Sequence, residues 1–161
     1  MKKVFFGLVI GLAWILTGLM AMAAELPPIK PMPDKFKNIT IAKPDPSLPK
    51  EIAGLLGEWE GIWKYAGTSS RQTPGEELRR CRIVVYEVSA NKIKFLLGNG
   101  DSPRSGIPGG WNNNESDIRE EGGKKIFSRT TAAGYNQQFY LKDGIIVGEG
   151  KSQTITMKRL K

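Results

Sequence analysis

From Leu56 to the end of the chain, apolar and polar residues alternate with a period of two, and glycine- or asparagine-bearing turns break the alternation at short intervals. That pattern describes strands that bury one face, and it leaves no room for helical periodicity in the same stretch. About eight strands are predicted, at approximately 56 to 65, 79 to 88, 92 to 97, 115 to 121, 124 to 131, 135 to 142, 145 to 149 and 153 to 160. Their connections are mostly tight, as at Ser89-Ala90-Asn91, Gly122-Gly123, Asp143-Gly144 and Gly150-Lys151-Ser152. Links this short join antiparallel neighbours. The expected fold is therefore all-β, an antiparallel up-and-down β-barrel of about eight strands whose closure removes exposed edges. Ser47-Leu48-Pro49-Lys50-Glu51 predicts one short N-terminal helix reaching about Leu55, because proline is tolerated in the first helical turn.

Strand parity assigns the faces. In the first strand Trp59, Gly61, Trp63 and Tyr65 share one face and Glu58, Glu60 and Lys64 the other, so the aromatic face is expected inside. The same reasoning points Cys81, Ile83 and Val85 inward and leaves Arg80 and Arg82 in water. Ile93, Phe95, Tyr135, Phe139, Leu141, Ile155, Met157 and Arg159 complete the interior. Arg159 is the odd member, a charge among apolar residues. Cys81 is the single cysteine, so no intramolecular disulfide is available and the residue reads as a small buried apolar group.

Ahead of the strands the composition changes twice. Residues 1–23 begin Met1-Lys2-Lys3, continue without charge and end in Ala21-Met22-Ala23, which predicts a signal peptide cleaved before Ala24 and a periplasmic or secreted product. The competing reading is an uncleaved anchor, the one route by which this chain would engage a membrane. Residues 24–49 hold seven of the ten prolines and no hydrophobic period, so they read as an extended linker in front of a single domain at 50–161. The formal charge of +8 is reduced to +6 without Lys2 and Lys3, and five more lysines lie at positions 30, 35, 37, 43 and 50. The domain itself is only mildly basic, which suits solubility or an anionic envelope component better than nucleic acid.

The segment from Leu48-Pro49 to Gly57-Glu58-Trp59-Glu60-Gly61-Ile62-Trp63, a short helix running into a G-x-W strand, resembles the opening of lipocalin-like domains of the calycin superfamily. The resemblance extends over residues 48–161 through the order of helix, G-x-W strand, hairpins and a final strand bearing arginine. Phe95-Leu96-Leu97-Gly98 followed by Pro108-Gly109-Gly110-Trp111 is similar to small bacterial members of that group. It implies a structural plug in which Gly57 opens the strand, Trp59 closes one end of the barrel and Arg159 packs over the indole.

Chemistry is bounded mainly by what the chain lacks. With no histidine, Ser-His-Asp and Cys-His catalytic sets and imidazole zinc sites are excluded. Glu58 and Glu60, about 6.5 to 7 Å apart on one strand face, overlap the carboxylate spacing of inverting glycosidases, yet they face solvent on this parity. Asp117, Glu120 and Glu121 are acidic without the spacing of a calcium loop. Neither a catalytic residue, a metal nor a cofactor is assigned, and an enzyme is not expected. The long connection Gly98–Asn114 carries five glycines, Arg104 and Trp111 and reads as a mobile loop at the open end. The expectation is an exported lipocalin-like barrel that binds a small apolar or amphipathic ligand through Trp63, Tyr65, Phe95, Trp111 and Phe139. The alternative is an envelope interaction module with a filled barrel and no ligand.

Overall fold

The computed structural model describes residues 26–67, 75–103, 106–131 and 134–160. The expected signal peptide, its cleavage before Ala24 and Arg104 lie outside them. Two single-turn helices, α1 (Asp34–Lys37) and α2 (Lys50–Ala53), precede nine strands: β1 (Gly57–Gly67), β2 (Gly75–Val88), β3 (Lys92–Asn99), β4 (Gly110–Asp117), β5 (Arg119–Glu121), β6 (Lys124–Thr130), β7 (Asn136–Lys142), β8 (Ile145–Gly150) and β9 (Gln153–Arg159). All nine form one antiparallel sheet in the order β4-β3-β2-β1-β9-β8-β7-β6-β5. Every neighbour in that order is a chain neighbour except β1 and β9, where the last strand returns to the first. The result is a meander curled into a half-barrel.

Two details differ from the sequence expectation. There are nine strands because the stretch read as a fourth strand over 115 to 121 is divided between β4 and β5 at Ile118, whose N–H donates to Asn91 O at 2.7 Å while its side chain packs on the core. The sheet also has a seam: β4 and β5 follow each other in the chain but share no ladder. Across the seam the Ser128 N–H donates to Ser116 Oγ at 2.9 Å, a side-chain link where a closed barrel would have backbone pairs.

The inward parity of each strand builds the core. Trp59, Cys81, Ile83, Val85, Ile93, Phe95, Leu97, Phe127, Phe139, Ile146, Ile155 and Met157 are all buried in one cluster. Phe95, Phe127 and Phe139 meet at its centre, with ring centroids 5.2 Å apart for Phe95–Phe127 and Phe127–Phe139 and 6.1 Å for Phe95–Phe139. Edge-on and offset ring contacts of this kind add about 0.5–1.5 kcal/mol each beyond area burial. Gly148 sits opposite Phe139 in the ladder, and a Cβ there would lie 2.9 Å from the Phe139 ring, so the absent side chain is what admits the phenyl group.

The sheet is covered on its outer side as well. Residues 26–42, read from sequence as a spacer without partners, pack along β2 and β3. Ile29 bridges to Gly100, Phe36 is buried against Val84 and Leu96, and the Ala42 N–H donates to Tyr86 O at 2.8 Å. Met32 and Ile39 join the same outer cluster. This covering is required by β3 itself: Phe95, Leu96 and Leu97 are consecutive, so one face of the sheet cannot bury all three.

Candidate functional site

The two ends of the half-barrel differ in chemistry. At one end α2 runs into β1 and closes the interior. Trp59 is 1% exposed, its Nε1 donates to Leu55 O at 2.9 Å, and it pairs in register with Arg159. The Arg159 guanidinium carbon lies 4.3 Å from the indole centroid, with Nη1 donating to Leu56 O at 2.6 Å and Nη2 to Gly54 O. One cation thus stacks on the ring and satisfies carbonyls left free where α2 ends. Gly57 has φ +125°, a backbone conformation that calls for glycine, and a Cβ there would push on Arg159 Nη1 at 2.5 Å. Gly57, Trp59 and Arg159, grouped on sequence grounds, are brought together by the structure.

At the opposite end, where β1, β3, β6 and β8 finish and β2, β4, β7 and β9 begin, the interior opens into a cup of about 440 Å³. Trp63 and Tyr65 form part of its wall, facing Glu77 and Arg79 of β2, Asn99 of β3, Arg129 of β6 and Gln153 of β9. Thr131 stands at the rim with Ile107 and Pro108, and Tyr135, expected inside, precedes β7 and is 48% exposed there, its inward place taken by Gln137. The same inward parity that delivers apolar groups lower down delivers polar ones here: Glu77 and Arg79 continue the face of Cys81 and Ile83, and Arg129 continues that of Phe127.

Hydrogen bonds fix most of these groups. The Arg79 Nε donates to Glu77 Oε1 at 2.5 Å, with side-chain exposures of 16% and 6%. Arg129 Nε donates to Gln137 Oε1 at 2.7 Å, and Gln137 Nε2 donates to Gln153 Oε1. Gln137 is itself buried beneath the cup. Arg129 lies 5.8 Å from the Trp63 ring and forms no ion pair among the described residues. Burial without a carboxylate pushes its guanidinium down to about 10. Trp63 Nε1 and Asn99 Oδ1 are buried with no hydrogen-bond partner, although both residues line the cup. Unpartnered buried polar atoms carry a desolvation cost of about 1–3 kcal/mol each, which a bound group can relieve. The described residues that line the cup include two arginines and one glutamate, and the Asp101 carboxylate also acts on Arg79 through its charge.

The residues singled out from sequence separate into three groups. Trp63 and Tyr65 line the cup. Phe95 and Phe139 are fully buried and are not among the residues that line the cup. Trp111 is not on a mobile loop: it lies in β4 opposite Gly98, borders the cup, and its ring covers the Gly98 position while Nε1 donates to Lys30 O at 2.8 Å. The connection is shorter than expected, running from Gly100 to Gly109, and is tied by the Gly109 N–H to Asp101 Oδ1 at 2.6 Å and by Lys30 Nζ to Asp101 at 3.0 Å. Those contacts hold the Asp101 carboxyl below its ordinary range. Arg79, Glu77, Asn99, Arg129 and Gln153 were missed by the sequence reading, although continuing its parity to the strand ends would have found them.

A second cleft, about 340 Å³, lies outside the sheet between residues 28–32 and the outward face of β1 and β2. Glu58, Glu60, Arg80 and Arg82 line it and are only half-exposed, where the parity reading had placed them fully in water. Glu58 is engaged by an ion pair with Arg82. Glu120 pairs with Lys125, and the described residues contain no group of three or more His, Cys, Asp or Glu side chains able to hold a metal. Nor is any described helix long and apolar enough to cross a membrane. Comparison of the chain with protein families, curated proteins and solved structures finds no match.

Proposed function

We propose that this protein is a lipocalin-like, non-catalytic binding barrel, acting outside the cytoplasm, that holds a small amphipathic ligand in the cup bounded by Trp63, Tyr65, Arg79 and Arg129. The observation that carries this reading is the contrast between the two ends. One is sealed by Trp59 and Arg159, while the other is an open concavity with aromatic walls and buried polar atoms lacking partners. Pockets of this kind, apolar-walled with a few convergent polar groups, are the usual form of small-molecule sites. Phe95, Phe127 and Phe139 fill the interior below, so the ligand is held at the mouth and does not thread the barrel.

Untargeted mass spectrometry of the full chain purified from its native compartment tests the proposal. A small amphipathic molecule should accompany the parent and be depleted from a Tyr65→Ala variant. Equal retention by both, or nothing retained above a control protein, contradicts it. The second reading, an interaction module with a filled barrel, is favoured by the packed phenylalanines and by the charged outer cleft. It gains support when a protein partner is captured equally by the parent and by Tyr65→Ala.

A further inference from the structure

We infer that the ligand of the cup is a compact organic monocarboxylate that also carries a hydroxyl or amino group, with Arg129 receiving the carboxylate; this inference rests on the binding reading above. Arg129 is the group that most lacks a counterpart. Its Nε is committed to Gln137, whereas its two Nη groups make no hydrogen bond among the described residues, and a guanidinium fork of that kind matches a carboxylate in bidentate geometry. Glu77 cannot serve, because it is engaged by Arg79.

Charge and shape narrow the class further. A single carboxylate pairs with Arg129, the lining guanidinium that has no carboxylate partner among the described residues, whereas a phosphate dianion brings a second negative charge with no such cation to meet it. The unpartnered Asn99 Oδ1 is an acceptor and calls for a ligand hydroxyl or ammonium, while the unpartnered Trp63 Nε1 is a donor that suits a second ligand oxygen. A fatty acid carries the carboxylate but does not suit the space: Phe95, Phe127 and Phe139 pack ring against ring in the core and do not line the cup. At about 440 Å³ the cup is at the small end for ligand sites and accepts a molecule of single-ring size.

The experiment is a titration of the ¹⁵N-labelled full chain, followed at its indole N–H resonances, with L-lactate, L-tyrosine, L-phenylalanine, D-glucuronate and D-galacturonate. The primary amides of the same compounds, inorganic phosphate and dodecanoate are run alongside. At least one hydroxy- or amino-carboxylate should shift the Trp63 indole resonance, and its amide should bind at least about tenfold more weakly, as loss of one charge-assisted contact implies. Arg129→Met should lose that affinity by a similar factor and Arg129→Lys should recover part of it, with thermal melts confirming that both variants fold. Equal binding of acid and amide overturns the inference, as does unchanged affinity in Arg129→Met or preferential binding of phosphate or dodecanoate. Should the panel leave Trp63 unmoved while a small-molecule extract of the native compartment shifts it, the carboxylate class fails and the cup reading survives; when neither moves it, both fail.

Discussion

Trp59 and Arg159 show how much one pair can organise: the guanidinium lies 4.3 Å from the indole centroid and bonds carbonyls of the α2–β1 connection, so helix, first strand and last strand meet on one side chain. Arg159→Ala should lower stability by about 1–3 kcal/mol in denaturant melts, through lost stacking and freed carbonyls. Unchanged midpoints would mean that the end is sealed without it. Cys81, 0% exposed, has its thiol pushed up to about 12 by burial, with Glu60 adding to the shift. It should resist thiol reagents at pH 8 until the chain unfolds. The pH dependence has a definite sign: the folded state keeps the proton while the unfolded thiol releases it near its ordinary value of about 8.5. Its contribution to stability is therefore complete below that pH and is lost progressively as pH rises towards 12. Denaturant midpoints of the parent should consequently fall more steeply between pH 8 and 10.5 than those of Cys81→Ala, and parallel slopes would contradict this. Trp59 and Cys81 were legible from sequence, because parity alone put them inside; Arg159, which the same parity also placed inside, packs on the indole from an exposed position.

Elements were legible where their hydrophobic pattern is local and obscure where pairing with a neighbour decides. Gly122-Gly123 and Asp143-Gly144 have positive φ at both positions, the geometry that two-residue hairpins need, and both turns were readable as such. β4 was not. Gly110-Trp111-Asn112-Asn113-Asn114 has weak strand propensity and becomes a strand by pairing with β3 from Asn99 to Lys92. The segment 26–42 was hidden for a related reason: Met32, Phe36 and Ile39 have no period, and their partners Val84 and Leu96 lie far along the chain. The clue was the run Phe95-Leu96-Leu97, which demands cover on both faces. Since Trp111 lies over Gly98 and bonds Lys30 O, Trp111→Ala should cost about 1–3 kcal/mol and expose residues 26–42 to limited proteolysis before the sheet is cut. A variant as stable and as protease-resistant as the parent would show that the strap is held by Phe36 and its neighbours alone.

At the scale of the whole molecule, one parity rule runs through three layers: a plug of Trp59 and Arg159, a solid middle of Phe95, Phe127 and Phe139, and a polar cup of Glu77, Arg79, Asn99 and Arg129. The all-β meander was readable because alternation and short turns are local properties. The cup was only half readable. Trp63 and Tyr65 announce themselves as aromatics, but Arg79 and Arg129 stand 50 residues apart and resemble ordinary surface charges until the strand ends are known to converge. Phe139→Ala, removing a ring from the middle layer, should cost about 3–5 kcal/mol. Calorimetry showing little loss would place the ring outside the load of the core.

The central claim is that the mouth cup, and not the filled interior, receives the ligand. Its most direct measurement is the ¹⁵N–¹H spectrum of the labelled full chain before and after addition of small molecules extracted from its native compartment. The indole N–H of Trp63, buried and unpartnered on a residue that lines the cup, should shift, while that of Trp59, bonded to Leu55 O at the sealed end, stays in place. A spectrum in which Trp63 is unmoved and Trp59 or the core responds would contradict the account.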